Sequence, residues 1–197
     1  MSKGTVFIKS ASPRSNWLGA LIKTLKIDVE VVDIDKSSEF EKLFPLKKTP
    51  AFADAEGYKL TEILAIVEYL FSLSNDKVLR GKNPKDSAQV MRWLSYVNQD
   101  IVNTWCDYIF VQKSEQGKKA TAEVLASQLK YINDELAIRS YLAVDGYATV
   151  ADEYLFSWYA ALAEVAGDVT TAKYPYLIKW YENLKKRDAV AKEVAKL

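Results

Sequence analysis

The stretch from Phe44 to Ile66 (Phe-Pro-Leu-Lys-Lys-Thr-Pro-Ala-Phe-Ala-Asp-Ala-Glu-Gly-Tyr-Lys-Leu-Thr-Glu-Ile-Leu-Ala-Ile) restricts the fold more than any other part of this chain. Pro50 enters the apolar run Ala51-Phe52-Ala53. It has no N–H for a sheet ladder, so it belongs at the first residue or on the edge of a strand, where a proline can follow either a trans or a cis peptide bond. Gly57 turns the chain, Tyr58 to Leu60 make a second short strand, and Thr61 opens a helical pattern through Ile63, Ile66, Val67 and Leu70. That helix is expected from about Glu62 to Leu73.

Upstream, strand and helix alternate at short spacing. A strand is expected at Thr5–Ile8, a helix at about Asn16–Lys26, a strand at Val29–Ile34 and a short helix around Ser38–Leu43. Such alternation followed by an antiparallel hairpin and a helix is a thioredoxin-like arrangement. Residues Ser74 to Ser87 are polar and carry Gly81 and Pro84, which marks a linker. Everything beyond reads as helix. Met91, Leu94, Val97, Ile101, Trp105 and Ile109 keep the spacing of one helix face, and Leu125, Leu129, Ile132 and Leu136 do so on the next. Thr149-Val-Ala-Asp152 reads as a capping box in which Thr149 caps the Asp152 N–H and the carboxylate returns to the Thr149 amide. Tyr154, Trp158, Ala161 and Val165 are the expected buried face of the helix it opens. Another begins at Pro175 and runs through Leu177, Trp180, Tyr181 and Leu184, and a last one is expected at Asp188–Lys196.

A chain of 197 residues can bury a sizeable core in one or two domains without staples. Although 49% of residues are apolar, none of the runs approaches the ~18 residues of a membrane span, and the start Met-Ser-Lys-Gly has no signal-peptide core. Together these point to a soluble, cytoplasmic protein with no membrane contact. A single cysteine, Cys106, cannot close an intrachain disulfide and agrees with a reducing compartment. It reads as a buried, inert thiol. With 27 Lys and Arg against 26 Asp and Glu, the net charge of +1 argues against nucleic acid as the main partner. The absence of histidine removes His-based triads, His general bases and most zinc and haem sites, and no metal site is expected. Chemistry must rest on hydroxyls, carboxylates, lysines, tyrosines or the backbone.

The order of proline, hairpin and helix resembles the glutathione-binding half of glutathione transferases. The wording "FPLKKTPAF…GYKLTE" is similar to the fungal gamma subunit of translation elongation factor 1, whose N-terminal domain has the transferase fold. The resemblance extends from Gly4-Thr-Val-Phe-Ile8 to about Arg187. It implies an α/β plus all-α fold: a thioredoxin-like domain over residues 1–76 and an all-helical domain over 77–197. It also implies a glutathione site. The activating hydroxyl would lie in the loop Lys9-Ser-Ala-Ser-Pro-Arg-Ser-Asn-Trp17, with Ser10 and Ser12 as catalytic candidates and Ser15 placed for the same role. The same residues also read as a Ser12-Pro13 turn and a Ser15 or Asn16 helix cap. Arg14 matches the Ser-Pro-Arg of the elongation-factor subunit. The resemblance implies a cis Thr49–Pro50 bond, through which Thr49 would offer its backbone N–H and C=O to the cysteinyl part of glutathione. Lys47 or Lys48 would face the glycyl carboxylate, and Glu62 the ammonium.

Position 63 departs from the family. Glutathione transferases commonly place Glu-Ser at the start of this helix, where the hydroxyl holds the γ-glutamyl carboxylate, whereas this chain has Glu62-Ile63. Losing a hydrogen bond to a carboxylate costs roughly 1.5–3 kcal/mol, or ~10- to 100-fold in affinity, so glutathione binding is expected to be weak. Tyr96, Trp105, Tyr108, Trp158 and Tyr159 read either as core or as the lining of an apolar electrophile pocket. Two functions follow. One is an interaction module of the elongation factor 1 gamma type that binds the nucleotide-exchange subunit in protein synthesis. The other is a glutathione transferase that conjugates small electrophiles or reduces peroxides. Either is expected to be a homodimer, with the Lys59–Leu73 region of one subunit on the Ser87–Ile109 helix of the other.

Overall fold

The computed structural model describes residues 2–111, 114–171 and 173–187; the helix expected over 188–196 lies outside them. The chain forms two compact units, the first ending at Asp76 and the second beginning at Lys77. In the first, β1 (Thr5–Ile8), α1 (Leu18–Leu25), β2 (Glu30–Asp33), α2 (Phe40–Leu43), β3 (Ala51–Ala53), β4 (Lys59–Thr61) and α3 (Ile63–Ser72) follow in order. The sheet order is β2-β1-β3-β4, with β1 and β2 parallel and the other pairs antiparallel. Because side chains alternate along a strand, Phe7 and Ala51 share one face, which is covered by Phe40 and Phe44 of the α2 region. The Phe7 ring lies 5.5 Å from Phe40 and 5.8 Å from Phe44. Val6 and Phe52 fall on the opposite face and are fully buried, as are Leu18 and Leu21 of α1 and Ile66 and Leu70 of α3. Each such side chain contributes about 1.5–3 kcal/mol.

The expected elements appear with shifted ends. Residues 12–17 form tight turns, with the N–H groups of Ser15 and Asn16 both donating to the Ser12 carbonyl, so α1 starts at Leu18 rather than Asn16. Tyr58 belongs to the hairpin turn instead of the strand, because its N–H donates to Asp54 Oδ1 at 2.9 Å. Gly57 sits in that turn at φ +90°, a conformation that disfavours any Cβ. The Thr49–Pro50 peptide is cis, as the family resemblance implies.

The second unit holds α4 (Pro84–Tyr96), a π-helical turn (Val97–Ile101), α5 (Val102–Cys106), a second π-helical turn (Asp107–Val111), α6 (Glu115–Ala137), α7 (Val150–Thr171) and α8 (Pro175–Arg187). The polar segment gives way to helix earlier than Ser87. Asn83 accepts from the N–H groups of Lys85 and Asp86 at 3.0 Å each, and Pro84 needs no donor in the first turn. Gly81, at φ +98°, lies so close to α4 that a Cβ there would meet the Ser87 nitrogen at 2.5 Å. Along α4 the buried face is Val90, Trp93, Leu94 and Val97, while Met91 is 43% exposed, which corrects its expected place in the core. Val90, Trp93 and Val97 keep a three-to-four helical spacing as well as Met91, Leu94 and Val97 do, and the larger tryptophan takes the interior. Beyond Val97 each π turn inserts a residue and rotates the following face by roughly 100°. Ile101, Val102 and Trp105 are buried, whereas Ile109 is only half-buried.

The expected face of α6 is buried in full. On α7, Tyr154 and Trp158 are buried, but Val165 is 57% exposed and Leu162 takes the interior position. The start of α7 differs in detail from the expected box. Thr149 N–H does donate to Asp152 Oδ2, at 2.8 Å, but the Thr149 hydroxyl donates to that same oxygen at 2.9 Å instead of accepting from Asp152. The Asp152 N–H is satisfied by the Thr149 carbonyl at 3.0 Å. Asp152 is fully buried, and its Oδ1 takes Leu142 N–H and Trp180 Nε1–H, both at 2.9 Å. A buried carboxylate needs donors more than the helix needs a second acceptor. Burial still holds the Asp152 carboxyl above the usual carboxylate value.

Candidate functional site

The strand register brings the expected site residues of the first unit to one end of the sheet. Ile8 pairs with Asp33, Phe7 with Ala51 and Ala51 with Thr61. Ser10 therefore leaves the end of β1, Thr49 and Pro50 enter β3, and Glu62 leaves β4 at the same edge. Pro50 is buried and Thr49 half-buried. Neither the N–H nor the C=O of Thr49 hydrogen-bonds any described residue, so a two-group backbone platform is open at the centre of this edge.

Beside it, α3 starts without a side-chain cap. Its first N–H groups have no intrahelical acceptor and favour an anion. Glu62, exposed, stands at φ 71° and ψ 122°, a sparsely populated conformation for a residue with a side chain. Ile63 is 2% exposed, so its side chain fills the core where a hydroxyl was wanted at the ligand. Lys47 is ion-paired with Glu41 at 2.7 Å. Lys48 is exposed and has no ion-pair partner among the described residues. Arg14 is half-buried, and its carbonyl accepts from Trp17 Nε1 at 3.1 Å.

The three serines separate by environment. Ser15 is fully buried and closes its own loop, accepting from Lys9 N–H at 3.0 Å and donating to the Lys9 carbonyl at 3.3 Å; its role is structural. Ser10 is drawn toward β2, where its N–H donates to Asp33 Oδ2 at 2.9 Å. It lines a cleft of about 430 Å³ with Ile8, Asn16, Lys23 and Val31, on the β2 side of the sheet. Ser12 is half-buried, and its hydroxyl hydrogen-bonds no described residue.

Asp33 was not picked out by sequence reasoning. The hydroxyl of Ser10 first, then the N–H of Asp35, hold its carboxyl below the usual carboxylate value; the Ser10 N–H and the charge of Lys9 add to this. Lys9 itself reaches both oxygens of Asp35 at 2.7 Å. The available signal was the pair of acids at the end of β2 in Val-Val-Asp33-Ile-Asp35, where an apolar strand turns abruptly polar. The backbone angle of Glu62 had no sequence signal.

In the second unit, Trp105, Trp158 and Tyr159 are core residues, while Tyr96 and Tyr108 are half-buried. Cys106 is a free thiol and is half-buried rather than buried. Among the described residues no three acidic or thiol side chains gather as a metal site, and no helix is long and apolar enough to cross a membrane.

Comparison with known proteins agrees with this layout. Residues 2–72 match the model of the glutathione S-transferase N-terminal domain, and residues 86–188 that of the glutathione S-transferase C-terminal domain. Glutathione S-transferase Y-2 of Pichia kudriavzevii is 34% identical, over 86% of this chain and 89% of its own. Elongation factor 1-gamma 2 of Saccharomyces cerevisiae is 35% identical over 93% of this chain, which spans 47% of that relative, about half its length. The crystal structure of the GST-like domain of elongation factor 1-gamma from Saccharomyces cerevisiae superposes with a TM-score of 0.81 at 27% identity, covering 98% of this chain and 93% of that one.

Proposed function

This chain belongs to the glutathione S-transferase family, and on that premise we propose that it is an interaction module of the elongation factor 1 gamma type, cytoplasmic and dimeric, that holds glutathione only weakly. The observation that carries this reading is the engagement of Ser10. A serine has one proton to donate, and the group beside Ser10 is the carboxylate of Asp33. With its N–H held by that carboxylate at 2.9 Å, Ser10 is anchored beside an anion, which competes for the hydroxyl proton and opposes a second negative charge nearby. Ile63 adds to this, since its buried side chain offers nothing to the γ-glutamyl carboxylate.

The partners of such a module are the nucleotide-exchange subunit of elongation factor 1 and a second copy of the chain. In the dimer the Lys59–Leu73 region meets the Ser87–Ile109 helix of the other subunit, and the exchange subunit docks with little salt dependence if apolar contacts dominate. Ser12 and Thr49 favour a second reading, a working transferase. The Ser12 hydroxyl and the Thr49 backbone are both open, so Ser12 would donate to the thiolate while Thr49 holds the cysteinyl unit, with Arg14, Lys48 and Glu62 around the ligand's charged ends.

Three measurements separate the readings: sedimentation alone and with the exchange subunit, calorimetric titration with glutathione, and conjugation of a generic aryl halide. The module reading expects a dimer, a larger species with the exchange subunit, and glutathione binding weaker than micromolar with negligible conjugation. Micromolar binding, with conjugation that is lost in Ser12→Ala, and no complex with the exchange subunit would replace it with the transferase.

A further inference from the structure

We propose that Asp33 is a positioning residue that keeps the loop after β1 idle toward glutathione by holding Ser10 on the β2 side of the sheet. The inference rests on the glutathione site of the reading above. Ile8, the last residue of β1, is paired with Asp33, the last of β2. The chain that follows Ile8 therefore leaves the sheet directly beside the Asp33 carboxylate. One oxygen takes the Ser10 N–H and the other the Asp35 N–H, both at 2.9 Å, so the carboxylate is fixed from two sides.

Lys9, whose charge also reaches Asp33, is turned to Asp35 by two contacts of 2.7 Å and makes no ion pair with Asp33. Ser15 then closes the same loop from beneath through Lys9. With the peptide of Ser10 anchored at one end and Ser15 buried at the other, the loop has little freedom to bring the Ser10 hydroxyl toward Thr49. In this arrangement the carboxylate denies a bound thiol its hydrogen-bond donor and adds an unfavourable charge. The carboxyl is ionised across the neutral range, since its neighbours hold it below the usual carboxylate value.

Asp33→Asn tests this with little change of shape. It removes the charge, and its amide has one acceptor oxygen for the two N–H groups that the carboxylate serves, so the hold on Ser10 is weakened. The thiol of bound glutathione then loses its proton to solvent more readily, while Ser10 keeps its own proton and donates a hydrogen bond to the sulfur. The probe is glutathione itself, added at concentrations that saturate each variant, with thiolate absorbance followed against pH and affinity followed by calorimetry. The apparent thiol pKa should fall by about one unit in Asp33→Asn, and aryl halide conjugation near neutral pH should rise about 10-fold.

Ser10→Ala should cost more in the Asp33→Asn background than in the native one, because only there does the hydroxyl meet the sulfur. A thiol pKa that Asp33→Asn leaves unmoved, or a gain that survives in the double variant, overturns the assignment. So does a Ser10→Ala loss of equal size in both backgrounds. Absence of glutathione binding in every variant overturns it together with the proposed site. The exchange-subunit complex is read on the native protein and stands or falls separately.

Discussion

The starts of α7 and α3 meet the same chemical problem by opposite means. Both leave N–H groups that their own helix cannot satisfy. At α7 the solution is internal: the Val150 N–H donates to the Leu79 carbonyl and those of Asp152 and Glu153 to the Thr149 carbonyl, while the fully buried Asp152 carboxylate ties the preceding chain down by accepting from the Leu142 and Thr149 N–H groups, a hydroxyl and an indole. At α3 the start is exposed, uncapped and reached through Glu62 at φ 71°. A buried helix start must be completed by the chain, since each orphaned polar group there costs about 1–3 kcal/mol. An exposed start can leave its donors to solvent or to a ligand, and it can carry strain because the strand before it and the core behind it hold the geometry. The first helix start serves stability, and the second is what a binding site needs.

The largest effect that can break this contrast is at Asp152. Asp152→Ala should lower unfolding free energy by about 3 kcal/mol or more, because several buried donors lose their acceptor at once. Thr149→Ala should cost about 1–2 kcal/mol, since the hydroxyl's hydrogen bond to the buried carboxylate is lost. In urea denaturation the double variant should be well short of the sum, as the two residues share a hydrogen bond. Additive losses would mean that the buried start is not one unit.

Ile63→Ser sharpens the other side. It removes a buried side chain and should cost about 2–4 kcal/mol, yet tighten glutathione about 10-fold by returning a donor to the carboxylate end. Calorimetry and urea denaturation on the same sample read both. A gain in stability, or unchanged affinity, would show that position 63 is not where core and ligand compete.

Glu62→Gly should raise stability by about 1 kcal/mol, since relief of the strained backbone outweighs the extra freedom of glycine in the unfolded chain. A loss of stability would mean the Glu62 side chain supports the turn.

The smallest effect concerns Tyr96, where burial foremost, then Asp100 and Tyr131, push the phenol up to about 12 against the opposing charge of Arg92. A folded-state value above the ordinary phenol value of about 10 contributes stability that is complete below that value. It is lost as the pH climbs through the folded one. Native protein should therefore lose stability between about pH 10 and 12, and Tyr96→Phe should flatten that slope. Tyrosinate absorbance should show one late-titrating tyrosine fewer.

The sequence by itself determined the order of strands and helices, the place of Pro50 at the start of β3 and the buried faces of α3 and α6, because apolar spacing and the missing proline N–H act locally, while the cis Thr49–Pro50 bond was legible only through resemblance to the family. It located the loop, the platform residue and the helix start of the candidate site through resemblance to the family. It also pointed to the pairing of Thr149 with Asp152. Only the tertiary structure decided which of Val90 and Met91 faces the core, since both satisfy helical spacing and neighbouring volume chooses between them. The direction of the Thr149 hydroxyl was likewise decided by the burial of Asp152, which no local rule states. The engagement of Ser10 by Asp33 depends on the register of two strands more than twenty residues apart. Pairing of distant segments fixes which charges meet, and so which serine is held and which backbone groups stay open.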